Sequence, residues 1–102
     1  MTTYFVTRHA GALDWASAEG LTVDQRLEHL DVERIAPGDV VIGSLPVSLA
    51  AEVCARGARY LHLTMTVPSE LRGIELSAAQ MRLCGARLEP YRVERLDPEG
   101  MR

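Results

Sequence analysis

Residues Asp39 to Gly43, DVVIG, constrain the fold more than any other stretch. Val40, Val41 and Ile42 are consecutive and β-branched, so the strand they predict is apolar on both faces. That is the composition of a parallel strand covered by helices on each side. Pro37, Gly38 and Asp39 mark a turn before it. Gly43, Ser44, Leu45 and Pro46 follow it, with Pro46 suited to a first helical position and Ser44 just ahead. The helix then predicted runs to about Arg56 and stops at Gly57, with Val47, Ala50, Ala51 and Cys54 as its inward face.

The same grammar opens the chain. In Thr3 to Ala16, TYFVTRHAGALDWA, a short apolar run at Tyr4, Phe5 and Val6 stops at Arg8 and His9. Gly11 follows, and then a helical pattern from Ala12 to Glu19 that Gly20 ends. A strand, a polar turn with glycine and a helix form the first half of an α/β unit. Free backbone N–H groups and the helix dipole favour an anion in such a turn. Arg8 supplies a permanently charged fork suited to phosphate, and His9 the side chain that titrates near neutrality. The turn has neither Walker nor G-x-G-x-x-G spacing, so a purely structural role for Arg8 and His9 stands beside the phosphate reading. Trp15, at the edge of the helix face formed by Ala12, Leu13 and Ala16, reads first as a core or interface residue.

The intervening and following segments are weaker. Leu27 and His29 fall in a short, half-exposed strand, with His29 a surface histidine. Residues 31–38 are too few for a crossover helix, so a short helical turn around Val32 to Ile35 is expected. Arg59 to Met65 is a further central strand, in which His62 reads as a satisfied buried histidine. Leu71 to Glu75 is a loop, Ser77 to Gln80 a capping box opening a helix through Cys84, and Leu88 to Leu96 an edge strand carrying Pro90.

At 102 residues the chain suffices for one domain with a modest core. Its 47% apolar and 25% charged residues are ordinary for a folded protein. A net charge of -3 argues against broad binding to polymeric nucleic acid, yet leaves room for a small anion held by a few local arginines. No apolar run approaches the roughly 18 residues of a membrane span, and the first residues lack the pattern of a signal peptide. Cys54 and Cys84, without clustered spacing, are expected as reduced, buried thiols of a cytoplasmic protein rather than zinc ligands.

The expected architecture is a compact, Rossmann-like α/β domain over residues 1–96, with 97–102 as a frayed tail. It has a mostly parallel sheet of about five strands and three helices. Ligands of such sheets sit at the carboxyl ends of the strands where the winding reverses. If the first strand and the DVVIG strand are neighbours, Arg8, His9 and Gly11 face Gly43, Ser44 and Pro46 across one crevice. Two helix amino ends would then converge on one anion.

These residues also carry a resemblance. TYFVTRHAGALDWA, EHLD, PGDVVIGSLPVSLAAEVCARGARYLHL and PSELRGIELSA resemble a small CRISPR-associated family of the Csx group. It accompanies type III systems, and its members are regarded as stand-alone ring nucleases. The resemblance runs from Thr3 to about Met81, with its densest blocks at RHAGA and GDVVIGSLP. It implies a homodimer that binds and cleaves cyclic oligoadenylate, above all the tetra-adenylate ring, and so switches off the signal that activates type III effectors. A two-fold ring suits a two-fold dimer. The implied chemistry is metal-independent and needs no cofactor. Arg8, His9 and Ser44 are the catalytic candidates: Arg8 for phosphorane charge, His9 as general acid or base, Ser44 as a hydrogen-bond donor to phosphate or ribose. Gly11, Ala12, Trp15, Gly43, Leu45 and Pro46 are the candidate ligand-contacting residues. Two rival classes remain. One is a module that sequesters the ring uncleaved, and the other is a regulatory dimer with no nucleotide site. A hydrolase of another substrate would want a nucleophile motif such as G-x-S-x-G, which this sequence lacks.

Overall fold

The computed structural model of the chain describes residues 1–98. Residues 99–102, most of the expected tail, lie outside the described residues. Five strands and three helices follow in the order β1 (Thr3–Val6), α1 (Ala10–Ala18), β2 (Gln25–Leu27), β3 (Val40–Gly43), α2 (Val47–Ala55), β4 (Arg59–Thr64), α3 (Ala78–Leu83) and β5 (Arg87–Tyr91). Short 3-10 turns at Val32–Arg34 and Ser69–Leu71 lie in the longer connections.

The strands form one sheet in the order β2-β1-β3-β4-β5. The first four are mutually parallel, and β5 runs antiparallel on the edge, where Pro90 faces Leu61. The proline costs little there because its missing N–H can point away from the ladder. From β1 the chain winds outward to β2 and then crosses back to place β3 on the other side of β1. The winding therefore reverses between β1 and β3, the adjacency on which the expected crevice depends. Their register pairs Phe5 with Ile42.

Because β3 is apolar on both sides, all four of its residues are buried, with helices on each face. One face carries Phe5, Val40 and Ile42 against Ala12, Trp15 and Ala16 of α1 and Met81 of α3. The other carries Tyr4, Val41 and Tyr60 against Ala50 and Val53 of α2 and Ile35 of the short crossover. That crossover has no α-helix, and Ile35 is 3% exposed, so a single 3-10 turn covers this part of the sheet. No helix among the described residues is long and apolar enough to cross a membrane.

Several local expectations change: His29 lies beyond β2, which ends at Leu27, and the edge strand ends at Tyr91 instead of Leu96. Pro46 is the cap residue of α2 rather than its first helical residue. Val47, expected on the inward face, is 74% exposed, whereas Val53 is fully buried. Cys84 is buried and Cys54 half-buried, and both are free thiols.

Candidate functional site

A cleft of about 570 Å³ opens at the carboxyl ends of β1, β3 and β4. Its size falls in the range of small-ligand sites. Thr7, Arg8 and His9 from the β1–α1 turn form one rim, and Gly43 and Ser44 from the β3–α2 turn form another. Glu28, just beyond β2, adds a carboxylate. Phe5, Ala12 and Met81 belong to the core and reach its floor, while Leu63, Met65, Val67, Ile74 and Leu76 make an apolar wall.

The β1–α1 turn exists because the strand ladder ends there. Thr7 N–H still donates to Leu27 O (2.8 Å), and Arg26 Nε donates to Thr7 O (3.3 Å). Thr7 Oγ1 then accepts from His9 N–H (3.1 Å), turning the chain into α1. His9 occupies the cap position of α1 but makes no side-chain capping bond. The amino end of α1 thus keeps backbone donors for an anion. Arg8 is exposed, and among the described residues its guanidinium has no hydrogen bond or ion pair. His9 Nδ1 lies 2.6 Å from Glu75 Oε1, a residue 66 positions away.

The β3–α2 turn is held from beneath by β4. Tyr60 Oη accepts from Leu45 N–H (2.9 Å) and lies 3.1 Å from Gly43 O and 2.6 Å from His62 Nδ1. Burial pushes the Tyr60 phenol above its ordinary value, against a smaller lowering by the Leu45 N–H, so it stays protonated as a donor. Ser44 Oγ donates to Leu63 O (2.9 Å). Gly43 leaves room for β1: a Cβ there would sit 3.0 Å from Val6 O.

The structure brings Arg8, His9, Ala12, Gly43 and Ser44 to one cleft. Gly11, Trp15, Leu45 and Pro46 are not among its lining residues. Gly11 lies in the first turn of α1, where an added Cβ would collide with the Leu76 carbonyl. Trp15 is 2% exposed in the core, with Nε1 unbonded among the described residues. Leu45 spends its N–H on Tyr60, and Pro46 begins a helix that packs on the opposite face of the sheet. One helix amino end, that of α1, therefore borders the cleft, instead of two. Ser44 also differs from expectation. Its one proton goes to Leu63 O, so the hydroxyl offers the cleft an acceptor.

Glu75, Glu28 and the Tyr60–His62 brace were not foreseen from sequence. Glu75 sits in a loop whose only local signals were Arg72 and Gly73, and nothing in its neighbourhood encodes contact with His9. His62 is half-buried and does have a partner, as expected, but that partner ties it to the turn. No group of three or more His, Cys, Asp or Glu side chains among the described residues is placed to hold a metal ion.

Residues 4–94 match the model of a family described as "Putative CRISPR-associated protein (Cas_VVA1548)". No curated protein and no solved structure matches the chain.

Proposed function

The chain belongs to this CRISPR-associated family, and on that premise we propose that it is a ring nuclease acting on cyclic oligoadenylate, with the tetra-adenylate ring as its substrate. One observation carries the reading: an arginine with no hydrogen bond or ion pair among the described residues, a histidine and a helix amino end share the mouth of one cleft at the sheet's switch point. This is a phosphate subsite with a proton-transfer group beside it. The apolar wall behind it suits a nucleobase, whose flat faces lose little on leaving water. A cleft of about 570 Å³ suits one or two nucleotides. A four-nucleotide ring would then span two clefts, one from each protomer of a homodimer.

The proposed reaction is internal transesterification. The ribose 2′-oxygen bonds to the adjacent phosphorus, and the bond from phosphorus to the 5′-oxygen breaks. His9 takes the 2′-hydroxyl proton, and the departing 5′-oxygen takes a proton from solvent. The product is linear, ending in a 2′,3′-cyclic phosphate. Arg8 and the α1 amino end face the charge that builds on the phosphorane. Ser44, as an acceptor, orients a ribose hydroxyl. A general base contributes about 10²–10⁴-fold, and in-line orientation several kcal/mol more.

Single-turnover incubation with labelled cyclic tetra-adenylate in EDTA tests this. Linear product in EDTA is expected. Arg8→Ala should weaken ring binding about ten- to a hundred-fold, the scale of a charge-assisted hydrogen bond. Its melting temperature should not change, because among the described residues the side chain has no partner to lose. Tight binding with the ring left intact would favour a sequestering module in the same cleft, and no binding would overturn both.

A further inference from the structure

The contact between His9 and Glu75 joins two loops 66 residues apart. Both side chains are about two-thirds exposed, at 65% and 67%. An exposed pair of this kind contributes little to stability, so its geometry calls for another explanation. The Glu75 backbone is anchored by the residues that follow it. Leu76, the next residue, packs its carbonyl against Gly11, where a side chain would collide. Ser77 then opens α3 with a complete capping box: Ser77 N–H donates to Gln80 Oε1 (2.9 Å), and Gln80 N–H donates to Ser77 Oγ (3.1 Å). The carboxylate therefore projects from an anchored segment onto the cap residue of α1.

An ionised carboxylate only accepts hydrogen bonds, so the 2.6 Å contact requires the proton on His9 Nδ1. In the neutral ring that leaves Nε2 as the acceptor. We infer that Glu75 is a positioning residue: it holds His9 in the Nδ1–H tautomer and orients the ring, leaving Nε2 to receive a proton in the cleft. Its kinetic role rests on the ring-nuclease reading, whereas its effect on the histidine does not. Once Nε2 is protonated, the carboxylate also faces the charge of the imidazolium. Glu28, the carboxylate that lines the cleft itself, is placed differently, 3.9 Å from Arg26 Nη2.

The test is ¹⁵N NMR of the histidine ring nitrogens on the full chain at alkaline pH, with His9→Gln identifying the His9 signals among the three histidines. The expected result is a His9 ring protonated on Nδ1, which relaxes toward the mixture of a free imidazole in Glu75→Ala. A ring protonated on Nε2 in the unmodified chain, or signals identical in Glu75→Ala, would overturn the inference. In single-turnover kinetics, Glu75→Ala should slow cleavage about ten- to a hundred-fold, the scale on which loss of an outer hydrogen-bond partner that orients a histidine acts. Ring affinity and melting temperature should be unchanged, and Glu75→Asp should recover part of the rate. An unchanged rate in Glu75→Ala would remove the kinetic role. If the unmodified chain cleaves no ring, the function reading fails while the tautomer measurement still decides what Glu75 does to His9.

Discussion

Tyr60 fastens the β3–α2 turn through a single phenol oxygen. That oxygen accepts from Leu45 N–H, donates to Gly43 O and lies 2.6 Å from His62 Nδ1. Tyr60 is 3% exposed, so removing the hydroxyl leaves the Leu45 N–H and the Gly43 carbonyl without this partner beside the core. A half-emptied buried network costs more than its mean hydrogen-bond energy suggests. Tyr60→Phe should therefore destabilise the chain by about 1–3 kcal/mol in denaturant unfolding. It should also loosen Ser44, which hangs on the same turn. A loss well under 0.5 kcal/mol would mean that the turn holds its shape without the phenol.

Among the elements, α1 and the segment leading into α3 are fitted to each other at Gly11. Glycine within a helix ordinarily costs up to about 1 kcal/mol relative to alanine. Here the order reverses, because the alanine methyl would meet a backbone carbonyl that cannot rotate away. Gly11→Ala should destabilise by about 1–3 kcal/mol, the usual cost of overpacking, despite the better helix former. It should also displace Glu75 from His9. An increase in stability would show that the segment from Glu75 to Ser77 yields easily. Gly11 also marks where reading the sequence stops working. Read from the sequence it falls between strand and helix and points to a ligand in the turn, whereas it lies inside the first turn of α1. The need for glycine instead comes from Leu76, which is remote in sequence. The capping box at Ser77 and Gln80 was legible because both halves lie within four residues. The apolar run of β3 was legible because burial on two faces writes itself into consecutive residues. The His9–Glu75 contact and the Tyr60 brace link distant positions through single side chains, and no periodicity records such links. Arg8, His9, Gly43 and Ser44 could be brought together in advance because topology alone places the ends of neighbouring parallel strands side by side.

For the whole molecule, the sheet order depends on the chain returning from the edge at β2 to the far side of β1 with no helix to guide it. Asp39 secures that return. Its Oδ1 accepts from Thr2 N–H (2.9 Å), just ahead of β1, and its Oδ2 from Ala36 N–H (2.9 Å) in the crossover, while its own carbonyl accepts from Arg59 N–H (2.8 Å) at the start of β4. One residue thus ties the openings of three neighbouring strands, β1, β3 and β4, to the connection that leads from β2 into β3. The backbone N–H of Ala36, then that of Thr2, hold the carboxyl below its ordinary value of 3.8, outweighing the opposing effect of burial. The folded chain therefore takes up this proton less readily than the unfolded chain does. The stabilisation is complete above 3.8 and disappears as the pH falls through the lower folded value. Asp39→Asn keeps the shape and loses the charge. Its melting temperature should lie below that of the unmodified chain at neutral pH, and the gap should close as the pH drops below 3.8. Thermal melts of both chains across that window decide the matter. A gap of constant size would mean that the shape of the side chain, and not its ionised carboxylate, holds the strand openings together.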